Sequence, residues 1–290
     1  MVFIVKVPGI NGLGKTNGCE KAGNAILNSL KEIYSNEQGK PIDVNLLDLE
    51  EIHLDNYNLE LTNKLIYKNA LEIYGEKPKV VFLGGDHSIS FSTTKAFLEY
   101  CRQNNKEPCL VVFDAHPDCM EPVDENFPTH EEWLRGLIEK GFPSENILLV
   151  GVRNLWKDEL EFLAKNKIKT ISMNQLQEDL HETCDSIMEF SNTKNLQANF
   201  GATKSKELQD FVGGKELYVS IDIDVIDPAF APATGYCEPG GLTSREFLYI
   251  LQRINKIKNL KAVDIVGINP AKDTNGLTVK LSAKILSELI

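Results

Sequence analysis

The chain lacks most features that mark secreted or membrane proteins. Its 290 residues include only six cysteines, which are scattered and form no Cys-X-X-Cys pair, so a reduced cytoplasm is the expected compartment. No apolar run approaches the roughly 18 residues of a membrane span, and the opening segment has no basic start followed by a long apolar stretch. We therefore expect neither a membrane span nor a signal peptide.

Positive charge is also in short supply. The 42 Asp and Glu outnumber the 31 Lys and Arg, which gives a net charge of −11. Without a Lys/Arg-rich block, this charge argues against a nucleic-acid partner and weakly favours a neutral or cationic small-molecule substrate.

One glycine-rich pattern suggests nucleotide binding. Residues 9–16 match the phosphate-binding loop Gly-X4-Gly-Lys-Thr and follow a predicted strand. A phosphate-binding loop runs directly into a helix, whereas Asn17-Gly18 interrupts the helix start here. A loop at the rim of an active site is the preferred interpretation.

Strand-like and helix-like segments alternate along the chain, which predicts a parallel sheet covered by helices on both faces. Strands are predicted at residues 2–7, 42–47, 79–83, 109–113, 146–150, 167–171, 216–221 and 260–266. Helices are predicted at residues 19–34, 61–74, 92–104, 131–140, 159–166, 177–191, 244–256 and 278–289. The polar segment 193–214 is a candidate insertion or mobile loop, too short for a second domain, so we expect one domain over residues 1–290.

Two aspartates at the end of the predicted seventh strand carry the strongest functional signal. Asp222 and Asp224 are two residues apart, so their side chains point to the same face of an extended strand. Neighbouring buried carboxylates repel each other and lose hydration, so such a pair requires a cation. The alternative is a solvated acidic loop.

Two other strand ends supply similar side chains. Residues 80–88 run from a strand into a Gly-Gly turn that presents His87, and Asp114, His116 and Asp118 alternate after the fourth predicted strand. His87 alone is weak evidence, because a single histidine is more often structural. Together, two His and four Asp exceed what one tetrahedral zinc needs, and they suit two oxygen-preferring ions such as Mn²⁺.

In order and spacing, these segments resemble the motifs of the ureohydrolase family, which includes arginase, agmatinase and formimidoylglutamase. The matching residues are Gly84-Gly85-Asp86-His87-Ser88, Asp114-Ala115-His116-Pro117-Asp118 and Ser220-Ile221-Asp222-Ile223-Asp224. Weaker similarity extends over nearly the whole chain. The resemblance implies a three-layer α/β/α, arginase-like fold with an eight-stranded parallel sheet, two Mn²⁺ ions, and a homo-oligomer that is a trimer or hexamer.

The resemblance also implies roles for individual residues. The implied ligands are Asp114 and Asp222 as bridges, His87 and Asp118 on one ion, and His116 and Asp224 on the other. A metal-activated hydroxide would attack the central carbon of a guanidinium or amidine. His130 lies where relatives place a loop histidine that shuttles protons, a role that suits an imidazole near neutrality. The alternative for His130 is a position beside a helix cap with no chemistry.

Several residues depart from the family pattern at the substrate end. Gly267 stands where the family typically has a glutamate that binds the guanidinium, so charge-assisted hydrogen bonds cannot come from this side chain. Tyr236 replaces a small hydroxyl residue. Glu238 or Glu121 could substitute for the missing carboxylate, and Arg153 either contacts a substrate carboxylate or pairs with a structural aspartate.

Three functions therefore remain open. The first is a manganese hydrolase of a linear C–N bond in a guanidino or amidino compound, closer to agmatinase than to arginase at residues 237–242. The second is a diverged amide hydrolase, because the guanidinium-binding glutamate is absent. The third is a metal-binding family member with little catalysis.

Overall fold

The fold is known from a computed structural model that describes residues 2–12, 14–191 and 214–290. The predicted insertion at residues 193–214 lies outside these ranges except for Gly214. The strands are β1 (Phe3–Val7), β2 (Asp48–Glu51), β3 (Val80–Gly84), β4 (Glu107–Phe113), β5 (Ile147–Val150), β6 (Lys169–Ile171), β7 (Lys215–Asp222) and β8 (Leu260–Val266). They form one parallel sheet in the order β2-β1-β3-β8-β7-β4-β5-β6.

Helices cover both faces of the sheet. In the described part of the chain they are α1 (Ala22–Leu30), α2 (Leu59–Glu76), α3 (Ile89–Gln103), α4 (Trp133–Glu139), α5 (Lys157–Asn166), α6 (Met173–Glu178), α7 (Leu180–Ser191), α8 (Ser244–Ile254) and α9 (Leu277–Leu289). Helices α1 and α6 to α9 share one apolar cluster with the sheet, and α2 to α5 share the other. The predicted three-layer α/β/α architecture with eight parallel strands is confirmed.

The central strands are apolar because both of their faces are covered. Every residue of β3, β4 and β8 is buried, as expected for strands inside a parallel sheet. Within β4, Val111 and Phe113 face one helical layer, whereas Leu110 and Val112 face the other. No helix among the described residues has the length and apolarity needed to cross a membrane.

The predicted second strand is wrong in position. Residues 42–47 do not form a strand, because the side chain of Asp43 accepts a hydrogen bond from the Asn45 amide and folds Val44–Leu46 into a 3-10 turn. The strand follows at Asp48–Glu51 and pairs with β1 alone. Its polar residues fit an edge strand, which leaves side chains in solvent.

The predicted helix at residues 177–191 is two helices. The chain is extended at Asp179, and its Oδ1 accepts hydrogen bonds from the amides of His181 and Glu182, each at 2.9 Å. Asp179 therefore ends α6 and caps α7, which is a common role for aspartate. The other predicted helices and strands are present, with ends shifted by a few residues.

The order of the strands brings distant segments together. β3 and β4 are separated in the sheet by β8 and β7, which come last along the chain. Because all strands are parallel, the loops that follow β3, β4, β7 and β8 emerge at one edge of the sheet. Ligand sites of open α/β sheets lie at this edge.

Candidate active site

A cavity of about 250 Å³ opens at the carboxyl ends of the four central strands. Its lining includes all six predicted metal ligands, which are His87, Asp114, His116, Asp118, Asp222 and Asp224. His130 and Tyr236 also line the cavity. The structure thus brings together every residue that the sequence singled out as ligand or catalyst.

Two groups of possible ligand atoms share Asp114. One consists of His87, Asp114 and Asp222, and the other of Asp114, His116 and Asp224. Nδ1 of His87 lies 3.0 Å from Asp114 Oδ2 and 3.4 Å from Asp222 Oδ2. Nδ1 of His116 lies 3.5 Å from Asp114 Oδ1 and 3.0 Å from Asp224 Oδ2. Adjacent sites with a shared carboxylate are the arrangement expected of a two-metal centre.

Backbone amides fix one oxygen of each central carboxylate. Asp114 Oδ1 accepts from the His116 amide at 2.7 Å, Asp222 Oδ1 from the Asp224 amide at 2.9 Å, and Asp224 Oδ1 from the Ala115 amide at 3.0 Å. In each case Oδ2 is the oxygen nearest to an imidazole. The loops after β4 and β7 therefore hold one carboxylate oxygen and direct the second towards the centre.

The charges of this cluster require a cation. Nδ1 of His87 and Oδ2 of Asp114 are buried and have no hydrogen-bond partner. Burial, followed by the charges of Asp224 and Asp114, raises the pKa of Asp222, and burial and Asp114 raise the pKa of Asp224. Buried, unpaired polar atoms are costly unless they coordinate a metal. The residues present therefore fit two divalent cations.

Asp118 reaches the same centre from a strained backbone. Its φ angle is 51°, in the left-handed region that residues other than glycine seldom adopt. Its Oδ2 lies 3.0 Å from His87 Nδ1 and accepts a 2.8 Å hydrogen bond from the indole of Trp133. Burial and the charge of Asp114 raise the pKa of Asp118 to about 7. The first residue of α4 thus orients the outermost predicted ligand.

A second layer of polar side chains lies beneath His87. Its Nε2 is 2.9 Å from the Ser220 hydroxyl, which donates a 2.7 Å hydrogen bond to Asp264 Oδ1. Asp264 is fully buried and also accepts from the hydroxyls of Ser90 at 2.6 Å and Tyr218 at 2.8 Å. No sequence motif marks this carboxylate as functional, although Asp264 lies near the end of β8.

His130 forms part of the cavity wall. Its side chain is about nine-tenths buried, and neither ring nitrogen has a hydrogen-bond partner. Its ring lies 5.2 Å from that of Tyr236, and Nε2 is 3.7 Å from Glu131 Oε1. Burial lowers the pKa of His130. Because the imidazole lines the cavity and both of its nitrogens are unpaired, these nitrogens are available to a substrate.

The two candidate carboxylates are placed very differently. Glu238 lines the cavity, with Oε1 3.4 Å from His116 Nε2 and 2.7 Å from Asn154 Nδ2, which donates to it. Glu121 is 85% exposed and lies 3.9 Å from Arg135. Glu238 is therefore the one of the two that faces the predicted metal centre.

Arg153 has a structural position. Its NH2 group donates to the carbonyls of Asp224 and Glu238, each at 2.6 Å, and its Nε reaches the carbonyl of Pro239 at 3.2 Å. These bonds join the end of β5 to the loop that follows β7. The predicted partners were a substrate carboxylate or an aspartate side chain, whereas the observed partners are backbone carbonyls.

The glycine-rich loop predicted at the rim of the active site contributes residues to the same cavity. The hydroxyl of Thr16 and the amide of Asn11 each donate to Asp86 Oδ2 at 2.7 Å. Turns and a 3-10 segment, Cys19–Lys21, separate this loop from α1. The loop therefore does not run directly into a helix, and it lines the cavity through Lys15 and Thr16.

Comparisons with known proteins agree with this site. The family model described as Arginase family matches residues 2–200 and 193–290. The chain is 30% identical over 249 residues to a mitochondrial arginase of Medicago truncatula, a match that covers 85% of this chain and 64% of the relative. It is 28% identical over 251 residues to the agmatinase of Bacillus subtilis, covering 86% of this chain and 75% of the relative.

Solved structures agree on the fold. The crystal structure of formimidoylglutamase from Bacillus subtilis superposes with a TM-score of 0.83 at 24% identity, covering 99% of this chain and 85% of that one. The predicted resemblance to ureohydrolases is thereby confirmed. With the family model matched along the described chain and the same fold in solved relatives, this protein belongs to the arginase family.

Proposed function

We propose that this protein is a hydrolase with two manganese ions that cleaves a linear C–N bond of a guanidino or amidino compound. The observation that carries the proposal is the pair of ligand groups that share Asp114 at the floor of the cavity. The names of the relatives, arginase, agmatinase and proclavaminate amidinohydrolase, support the same reaction class. The match spans 64% of the first of these relatives, so its activity is carried to this chain as a proposal.

The chemistry of the ligands favours manganese. Four carboxylates and two imidazoles form an oxygen-rich set that suits Mn²⁺, whereas structural zinc prefers thiolates and imidazoles. When bound, two such ions supply an activated water as the nucleophile. His87 and Asp118 would hold one ion, His116 and Asp224 the other, and Asp114 and Asp222 both.

The remaining side chains of the cavity handle the substrate. We assign proton delivery to the departing nitrogen to His130, because its ring lines the cavity and both of its ring nitrogens are unpaired. We assign recognition of the positively charged amidinium to the Glu238 carboxylate. Asn154 donates a hydrogen bond to this carboxylate and positions it beside His116. A carboxylate paired with an amidinium forms charge-assisted hydrogen bonds.

The test is turnover by the full chain reconstituted with Mn²⁺. Agmatine, arginine, 4-guanidinobutyrate and formimidoylglutamate would be assayed for release of urea or, for the last compound, formamide. Hydrolysis of at least one member, lost on removal of the metal, is the expected result. Bound metal would be quantified in the same samples by mass spectrometry.

Gly267 favours a second candidate function. It contributes no side chain to the cavity, and a Cβ added there would lie 2.4 Å from Asp222 Oδ1. The glutamate of the family pattern therefore has no place at this position. If the panel is silent, hydrolysis of amides by the manganese-loaded chain would support a diverged amide hydrolase, and bound metal without any hydrolysis would support a binding or regulatory role.

Assembly and location are further proposals. We propose a homo-oligomer, a trimer or hexamer, in the cytoplasm, on the basis of the resemblance and of the scattered cysteines. Several relatives carry mitochondrial or chloroplastic names, so compartment varies within the family. Light scattering of the purified chain would measure its mass in solution.

A further inference from the structure

One permanently positive side chain lines the cavity in the described part of the chain. Among the described residues of the lining, Lys15 is the only Lys or Arg. Its Nζ lies 4.6 Å from the centroid of the Tyr236 ring, a cation–π contact. Across residues 2–12, 14–191 and 214–290, no carboxylate lies within ion-pair distance of this ammonium. The exposed Lys15 side chain therefore contacts an aromatic face but is not neutralised.

Tyr236 contacts this cation and two imidazoles of the cavity, those of His116 and His130. The centroid of its ring lies 6.1 Å from that of His116 and 5.2 Å from that of His130. The Tyr236 ring therefore lies close both to these imidazoles and to the ammonium of Lys15. A substrate with its reacting carbon at the metals would extend its tail along the ring and end near Lys15.

A negatively charged side chain also lies near this path, so the two charges must be compared. Glu131 lines the cavity, its carboxylate lies 3.7 Å from His130 Nε2, and together with burial it raises the pKa of Tyr236. Among the described residues, the ammonium of Lys15 contacts the ring face and no carboxylate. An anionic tail would form an ion pair with Lys15, which has none within the described chain. A cationic tail would have to share the Glu131 carboxylate with His130 and Tyr236. The anionic tail is favoured.

We propose that Lys15 recognises a carboxylate at the far end of the substrate, so that the preferred substrates are guanidino or amidino acids and not guanidino amines. This inference rests on the proposed function, because it takes the reacting end of the substrate to be at the metals. It adds a residue that determines specificity and a charge requirement for the tail.

The experiment uses two compounds of matched length with opposite tail charge. Agmatine and 5-guanidinopentanoate both carry a guanidinium on four methylenes, but the first ends in an ammonium and the second in a carboxylate. Turnover and calorimetric affinity would be measured for both on the manganese-loaded full chain and on Lys15→Met, Lys15→Arg and Lys15→Glu. Lys21→Met, which alters an exposed lysine away from the cavity, is the control.

We expect wild type to prefer 5-guanidinopentanoate. Lys15→Met should reduce this preference about tenfold, mainly through KM and Kd, which corresponds to the loss of about 1.4 kcal/mol of binding free energy. Lys15→Arg should restore it, Lys15→Glu should invert it, and Lys21→Met should leave it unchanged. A preference equal in wild type and Lys15→Met, or no measurable binding of either compound, would overturn the proposal.

The two readouts separate this inference from the proposed function. Binding that depends on Lys15, without turnover of either compound or of the wider panel, would support the recognition of the carboxylate and reject the guanidine hydrolase. Turnover of both compounds with equal efficiency in all Lys15 variants would support the hydrolase and reject the role of Lys15.

Discussion

At the scale of single residues, the buried Asp264 determines how His87 presents its ring. Asp264 can only accept hydrogen bonds, so the Ser220 hydroxyl must donate to it and offer its lone pairs to His87 Nε2. With the proton on Nε2, Nδ1 is left free to coordinate a cation at the predicted metal centre. Such outer contacts fix the tautomer and orientation of a ligand histidine.

Removing the Ser220 hydroxyl should weaken metal binding without unfolding the chain. We expect Ser220→Ala to raise the Kd of Mn²⁺ by about 10–100-fold, because His87 loses the group that fixes its tautomer. Titration with Mn²⁺ followed by calorimetry would measure the change. Ser282→Ala is a matched control, since Ser282 is equally buried but donates to the Thr278 carbonyl within α9. Equal affinities in wild type and Ser220→Ala would show that Ser220 does not orient His87.

His130 should matter for turnover but not for metal content. We expect His130→Asn to lower kcat by about 100-fold or more, because general acid catalysis contributes about that much, while bound manganese stays at the wild-type level. His53→Asn, which changes a 90% exposed side chain, should behave as wild type. Wild-type kcat in His130→Asn would remove this residue from the mechanism.

At the scale of secondary-structure elements, the sequence is most informative where ligands directly follow apolar strands. Asp222 and Asp224 could be predicted as a pair because they come at the end of an apolar strand, but the predicted common face of an extended strand is wrong: β7 ends at Asp222, and Ile223–Val225 form a 3-10 turn. Glu238 and Arg153 could not be placed, since both lie in loops whose contacts depend on the fold. The strand predicted at residues 42–47 is absent because the Asp43 side chain folds Val44–Leu46 into a turn.

The conformation of the loop after β8 depends on residues that are distant in sequence. Gly267 has a φ of 79°, and a Cβ there would meet Asp222 Oδ1 at 2.4 Å. Its amide donates to the Gly85 carbonyl at 3.0 Å, which joins the loops after β3 and β8. Gly267 thus lacks the carboxylate with which the family pattern binds the substrate, and its lack of a side chain leaves space for Asp222, a predicted metal ligand.

A methyl group at this position should therefore reduce manganese binding as well as stability, whereas backbone strain alone would reduce only stability. We expect Gly267→Ala to lose manganese as well as about 1–3 kcal/mol of stability from the strained φ and the close contact. Gly39→Ala is the matched control, because Gly39 has a φ of 80° and nothing within 4 Å of the added Cβ. Unfolding in urea and metal analysis would compare the two. Equal losses, with manganese retained in both, would contradict a specific effect on Asp222.

At the scale of the whole molecule, the site buries several negatively charged carboxylates in a protein that is already acidic overall. Four buried aspartates meet beneath four strand ends, in a protein whose net charge is −11. Burial and neighbouring charges raise the pKa of Asp222, which means that its ionised form is unfavourable without a cation. Metal ions that bind only the folded chain therefore stabilise the whole fold.

Thermal unfolding should report this coupling. Removing metal with a chelator should lower Tm, and Mn²⁺ at about 100 times its Kd should raise Tm by roughly 5 °C or more, since this excess contributes about 2.7 kcal/mol. Asp222→Asn should unfold at a higher temperature than wild type without metal, because one buried charge is gone, and it should respond little to Mn²⁺. Asp124→Asn, which alters an exposed aspartate, should respond as wild type does. A full manganese response in Asp222→Asn would mean that the ions bind elsewhere.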